Sequence, residues 1–184
     1  MQGLSYVLSA LGLLSMICAS MIKGTKIKTI LFLVFCGNIL VATSYLVGGS
    51  GINGAAACYL GGLQTLINYF FSSKNKPLPR WLVAIYVVSI IALNIWVAGG
   101  ISPLGLLVII ASLTFVMCIG QHSGAKYRFW TLVNMSLWCI YDILSGSYNV
   151  LVTHVPQLAF VIIGILIHDR HAASKTGTEN KPTV

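Results

Sequence analysis

Residues 23–54 read KGTKIKTILFLVFCGNILVATSYLVGGSGING. Three lysines open the stretch, an apolar run without charge follows, and a glycine-rich turn without charge closes it. The run from 28 to 47 has the length that a helix needs to cross a bilayer, about 20 residues at about 1.5 Å rise each. Runs of this kind recur along the chain and predict seven transmembrane helices, over 3–22, 28–47, 54–71, 81–98, 103–120, 127–145 and 150–168. No Lys or Arg precedes the apolar run that begins at Gly3, so this segment is expected to be the first helix rather than a signal peptide. The residues after His171 are polar and are expected to form a disordered tail.

Composition excludes an ordinary soluble domain. Apolar residues make up 57% of the 184 residues and charged residues 8%, where soluble domains carry about a quarter charged residues. Mean hydropathy is +0.89. The net charge of +8 does not point to nucleic acid, because its placement follows the loops. Lys23, Lys26 and Lys28 follow helix 1; Lys74, Lys76 and Arg80 follow helix 3; Lys126 and Arg128 follow helix 5; Arg170, Lys175 and Lys181 follow helix 7. The connections around 48–53, 99–102 and 146–149 hold no charge. The positive-inside rule then puts the N-terminus outside and the C-terminus in the cytoplasm, in a multi-pass protein of the inner (plasma) membrane. Aromatic residues fit as interfacial anchors: Trp81, Tyr127 and Trp130 at the inner boundary, and Tyr6, Tyr45, Trp96 and Tyr148 at the outer one.

The five cysteines, Cys18, Cys36, Cys58, Cys118 and Cys139, lie in apolar stretches and form no CxxC pair. They are expected to pack between helices rather than to bind metal or form disulfides. No HExxH, GxSxG or P-loop pattern occurs, so no catalytic residues, metal site or cofactor are expected.

Helix spacing suggests an internal repeat. A shift of 97 residues places Leu46-Val47-Gly48-Gly49-Ser50 on Ile143-Leu144-Ser145-Gly146-Ser147, and Asn38 falls within one residue of Asn134. Two triplets of helices then flank a linking helix, 3+1+3. The odd linker makes the triplets parallel, related by an axis along the membrane normal. The expected units are a first triple-helix bundle over 1–72, a linker with helix 4 over 73–100, a second bundle over 101–170, and a disordered cytoplasmic tail over 171–184.

The stretches Tyr45-Leu46-Val47-Gly48-Gly49-Ser50-Gly51 and Trp138-Cys139-Ile140-Tyr141-Asp142-Ile143-Leu144-Ser145-Gly146-Ser147 resemble the SWEET/PQ-loop superfamily. The bacterial YgjV-type inner-membrane proteins are the closer likeness. The resemblance implies a transporter-like fold of two triple-helix bundles. The chain departs from the superfamily pattern in its single Pro-Gln pair, Pro156-Gln157, which lies in helix 7 rather than in the first helix of a triplet.

Polar side chains at mid-membrane depth are costly unless they face a cavity or one another. Asn38, Gln64, Asn134 and Gln157 gather there, with Trp138 one turn from Asn134 and Asn68 one turn from Gln64. Amides that both donate and accept, beside an aromatic face, suit a neutral polar solute. Asn38, Gln64, Asn68, Asn134, Trp138 and Gln157 are the candidate substrate-binding residues, in a pocket between helices 2, 3, 6 and 7. The competing expectation is that these amides bond helix to helix. Asp142, the only carboxylate inside a predicted membrane helix, and His154 stand at similar depth near the outer end. They are the candidate proton or ion site, with a simple outer-vestibule salt bridge as the competing expectation.

The expected function is a carrier for a small neutral solute of the vitamin, nucleoside or sugar class, by alternating access and with proton coupling left open. The alternative is a non-transporting receptor or assembly partner of the same fold. The expected partners are the lipid bilayer and the solute; the sequence leaves room for a homo-oligomer.

Overall fold

The computed structural model describes residues 2–22, 26–49, 51–98, 100–121 and 123–179, with side chains described as far as His168 except that of Ala98. Lys23, Ser50, Gly99 and Lys181, which entered the loop and repeat expectations, lie outside the described residues. Among the described residues the protein is all-helical. Its helices are α1 (Gln2–Met21), α2 (Ile27–Gly48), α3 (Ile52–Ser73), α4 (Arg80–Ala98), α5 (Pro103–Ile119), α6 (Gly124–Ser145) and α7 (Tyr148–Glu179). Each falls on a predicted segment. The main difference is at the end, where α7 continues to Glu179 instead of stopping near 168. Pro156 lies inside α7, which runs through it.

The helix ends have local causes. Ser102 caps α5, its hydroxyl accepting from the Gly105 amide at 3.0 Å, and Pro103 supplies a fixed φ at the first helical position. Gly49 ends α2 and Gly146 ends α6, both at φ 70°, in the left-handed conformation that side chains disfavour. At Gly146 the Ser147 amide donates to the Asp142 carbonyl at 2.9 Å and the Gly146 amide to that of Ile143 at 3.3 Å. This double closure ends α6 within one turn of Asp142.

Four helices are long and apolar enough to cross a membrane by length and composition: Gln2–Met21, Ile27–Gly48, Arg80–Val97 and Tyr148–His168. α5 is apolar but shorter, with 17 residues. α3 and α6 fall short in apolarity because they bear polar groups, Gln64 and Asn68 on one and Arg128, Asn134 and Asp142 on the other. Those groups are buried, whereas Leu4, Leu11, Phe32, Val88, Trp96 and Ile140 are exposed. An apolar exterior around a polar interior inverts the arrangement of a water-soluble domain. It is the arrangement a bilayer rewards.

α1 packs on α2 and α7, α2 on α3, α3 on α5, α5 on α6, and α6 on α7. α4 packs outside, on α3 and α5. α1 turns a face of mostly small residues inward: Ser5, Ser9, Gly12, Met16, Ala19 and Ser20. Where lipid replaces water, close approach and hydrogen bonds take over from hydrophobic burial as the force between helices. Both occur here. Ser9 and Ser44 hydroxyls meet at 2.7 Å, the Asn149 amide donates to Ser5 Oγ at 2.7 Å, and Thr153 Oγ1 donates to the Ser9 carbonyl at 3.0 Å. A Cβ on Gly12 would stand 2.9 Å from Val41 Cγ2. Gly12→Leu is therefore expected to pry α1 from α2 and to cost about 1–3 kcal/mol, read as a lower melting temperature in detergent, while Gly3→Leu, whose surroundings are open, leaves it unchanged.

Candidate functional site

Asp142 is fully buried, with 0% exposure. Its Oδ1 accepts from the Tyr45 hydroxyl at 2.5 Å, and its Oδ2 lies 2.5 Å from His154 Nδ1. Asp142 and His154, which the sequence places at similar depth near the outer end, are in contact. The pair is buried, Asp142 with 0% and His154 with 4% exposure. Tyr141 extends the cluster: its hydroxyl accepts from the Gly54 amide at 3.2 Å, and its ring meets that of Tyr45 edge-on at 6.4 Å. A Cβ on Gly54 would stand 2.9 Å from the Tyr45 ring and 3.1 Å from that of Tyr141, so α3 approaches this closely only as glycine. Two sequence-based placements change here. Tyr45, expected as an outer anchor, is 0% exposed, and Tyr127, expected at the inner boundary, is buried against Met16, Val34 and Cys118.

On one side of this cluster lies a central cavity. Asn38, Gln64, Asn134, Trp138 and Gln157, all expected in a pocket, line it, and His154, expected instead in an ion site with Asp142, lines it too. It is broader in membership than a pocket between helices 2, 3, 6 and 7, because Met16 of α1, Ile90 of α4 and Ser112 of α5 also reach it. Trp138 links it to the cluster, meeting the Tyr141 ring edge-on at 5.4 Å and the His154 ring at 5.9 Å. The space is small in this conformation, ≈ 30 Å³, enough for one or two waters.

The candidate amides divide by what they bond. Asn134 Nδ2 donates to the Ala111 carbonyl at 2.6 Å and to Thr114 Oγ1 at 3.0 Å, tying α6 to α5. Asn68 does not line the central cavity. Its Nδ2 donates to the Ile119 carbonyl at 3.3 Å and its Oδ1 accepts from Tyr86 at 3.0 Å, so it joins α3 to α5 and α4. Asn38 Nδ2 donates within its own helix to the Val34 carbonyl at 2.9 Å. Gln64 differs: it is 1% exposed and its Nε2 has no hydrogen-bond partner. Ser112 Oγ, also in the cavity wall, has none either. A buried polar atom without a partner costs about 1–3 kcal/mol, so these two mark where a ligand or water would bond.

Sequence reasoning missed Tyr45, Tyr141 and Ser112. The 97-residue repeat shift held a signal for the first, since it superposes Tyr45 on Asp142, the residue it touches. Nothing in local pattern singled out Ser112. Among the described residues no group of three or more His, Cys, Asp or Glu is placed to hold a metal ion. No family model, curated protein or solved structure matches the chain.

Removing the carboxylate would strand two buried partners. Asp142→Ala is expected to destabilise the folded protein by about 3–5 kcal/mol. Asp142→Asn, whose amide oxygen still accepts from Tyr45, is expected to lose less than half of that. Thermal unfolding of the two variants in the same detergent checks the order; equal losses would mean that the Tyr45 bond contributes nothing.

Proposed function

We propose that the protein is an integral membrane carrier for a small, neutral polar solute of the vitamin, nucleoside or sugar class, working by alternating access in an inner (plasma) membrane. The observation that carries this reading is the pair of unpartnered polar groups, Gln64 Nε2 and Ser112 Oγ, in the wall of a central cavity. A closed bundle held by interhelical bonds would be expected to satisfy them. Trp138 offers a ring face beside them, and among the described residues no Lys or Arg lines the cavity, which suits a solute without strong negative charge.

In this reading all seven helices cross the bilayer, with the N-terminus outside and the C-terminus cytoplasmic. α1–α3 and α5–α7 form two parallel triple-helix bundles joined by α4. Two observations support the arrangement. Exchanging α1 with α5, α2 with α6 and α3 with α7 converts the α1–α7 packing into the α5–α3 packing, as a two-fold axis along the membrane normal requires. Tyr45 and Asp142, 97 residues apart, touch, as equivalent positions beside such an axis would. The resemblance to the SWEET/PQ-loop superfamily and to YgjV-type proteins points the same way. The Tyr45–Asp142–His154 cluster then closes the outer side, and its opening is the step to which a proton or cation would couple. A second reading, a non-transporting receptor or assembly partner, draws on the small volume of the cavity, since a bundle that never opens needs no more room.

Gln64→Met and Ser112→Ala remove no hydrogen bond from an unpartnered atom. They are expected to leave the empty protein as stable as the parent or more stable, by up to about 1–3 kcal/mol, read as an unchanged or higher melting temperature. Ligand-induced stabilisation by a panel of vitamins, nucleosides and sugars is expected to be lost in both, and in Trp138→Ala. Flux of the stabilising compound into liposomes separates carrier from receptor. A broad panel giving neither stabilisation nor flux would overturn the carrier reading.

A further inference from the structure

A wider cavity than the central one lies at the lysine-bearing end of the bundle. It has a volume of ≈ 710 Å³ and lies between the start of α2, the end of α3, the α3–α4 connection and the end of α5. Lys26 and Lys28 reach it from the start of α2 and Lys76 from the α3–α4 connection, and none of the described residues lining it is acidic. Only three carboxylate side chains exist in the chain, and Asp142, the one described, is locked among Tyr45 and His154. Lys28 Nζ reaches no closer than 3.5 Å to the Ser73 carbonyl, a long contact for a charged donor.

Three cations converging on one concave surface concentrate a positive potential there, more than the same charges spread over loops would. The start of α2 adds to it. The first amides of a helix point outward without intrahelical partners, and its dipole favours an anion. Lys26, at the capping position, supplies no side-chain bond to them, and Ile27, Lys28 and Thr29 belong to the cavity wall. The rest of the wall is amphipathic. Ser72, Asn75 and Gln121 offer polar groups near the rim, and Leu31 and Ile119, both buried, form an apolar base.

We propose that this vestibule is a binding site for a phosphoryl group, held by Lys26, Lys28 and Lys76 at the start of α2. A phosphoryl group matches the site in spreading its negative charge over several acceptor oxygens, which point-charge ammonium groups and backbone amides can share. Two sources offer that chemistry: the headgroup of an anionic phospholipid, whose tail would lie along the apolar base, and a free phosphate compound. Basic hollows between helices at the membrane surface bind such headgroups. The site stands apart from the central cavity and does not depend on the carrier reading.

Thermal unfolding of the full chain tests the proposal in two settings. In neutral detergent, inorganic phosphate is compared with chloride at equal ionic strength. In phosphatidylcholine nanodiscs, the comparison is with and without phosphatidylglycerol. The parent is expected to gain about 3 °C or more near saturation in at least one setting. The Lys26→Gln/Lys28→Gln/Lys76→Gln variant is expected to lose that gain. Lys74→Gln/Arg80→Gln, which changes neighbouring charges outside the cavity wall, is expected to keep it. A gain with phosphate identifies a soluble ligand, and a gain with phosphatidylglycerol alone identifies the headgroup. No gain in either setting, or an equal gain in both variants, overturns the proposal. If the triple variant does not fold, Lys76→Gln alone is read, with the gain expected to fall by at least half.

Discussion

A carboxylate with no contact to solvent stands at the centre of a bundle of apolar helices, and the packing around it follows from what it needs. Ionised, it would be costly at that depth unless paired and hydrogen-bonded. Asp142 takes one bond from α2 through Tyr45 and one contact from α7 through His154. Those partners fix the mutual rotation of three helices. They also require α3 to come close enough for the Gly54 amide to reach Tyr141, which a side chain at residue 54 would prevent. The closure at Gly146 and Ser147 then holds α6 at the height where Asp142 meets both.

Below that lock, the polar groups of the interior serve two purposes. Asn134 and Asn68 use their amides to join helices, as polar groups commonly do where lipid removes the hydrophobic force between helices. Gln64 and Ser112 do not. The distinction matters because bonded amides rigidify a bundle, whereas unpartnered ones leave free energy available to a ligand. The unpartnered pair in the cavity wall is what favours the carrier proposed above over a static assembly.

Much of this was legible in the order of residues. Asn38, Gln64, Asn134, Trp138 and Gln157 were identified as inward-facing from polarity and depth alone, and all five line the cavity. Asn68 was grouped with them because it lies one turn from Gln64, but one turn is about 5 Å along the axis, enough to carry it out of the cavity and into the vestibule wall. Tyr45 was misplaced for a different reason. An aromatic residue near a helix end satisfies the interfacial pattern whether its ring faces headgroups or a neighbouring helix.

The sequence by itself determined the seven helical segments and the gathering of lysines and arginines in alternate connections, because apolar run length, glycine turns and loop lysines are local properties. It determined also that a single carboxylate would need a partner inside. Which partner, and which amides would be consumed in bonding, was decided only by the tertiary structure. In helices as uniformly apolar as α2 and α5, the lipid face and the packed face look alike, so residue spacing does not specify rotation about the axis. Helix-to-helix approach specifies it, and with it the meeting of Tyr45 with Asp142, the isolation of Ser112 and the convergence of three lysines on one hollow.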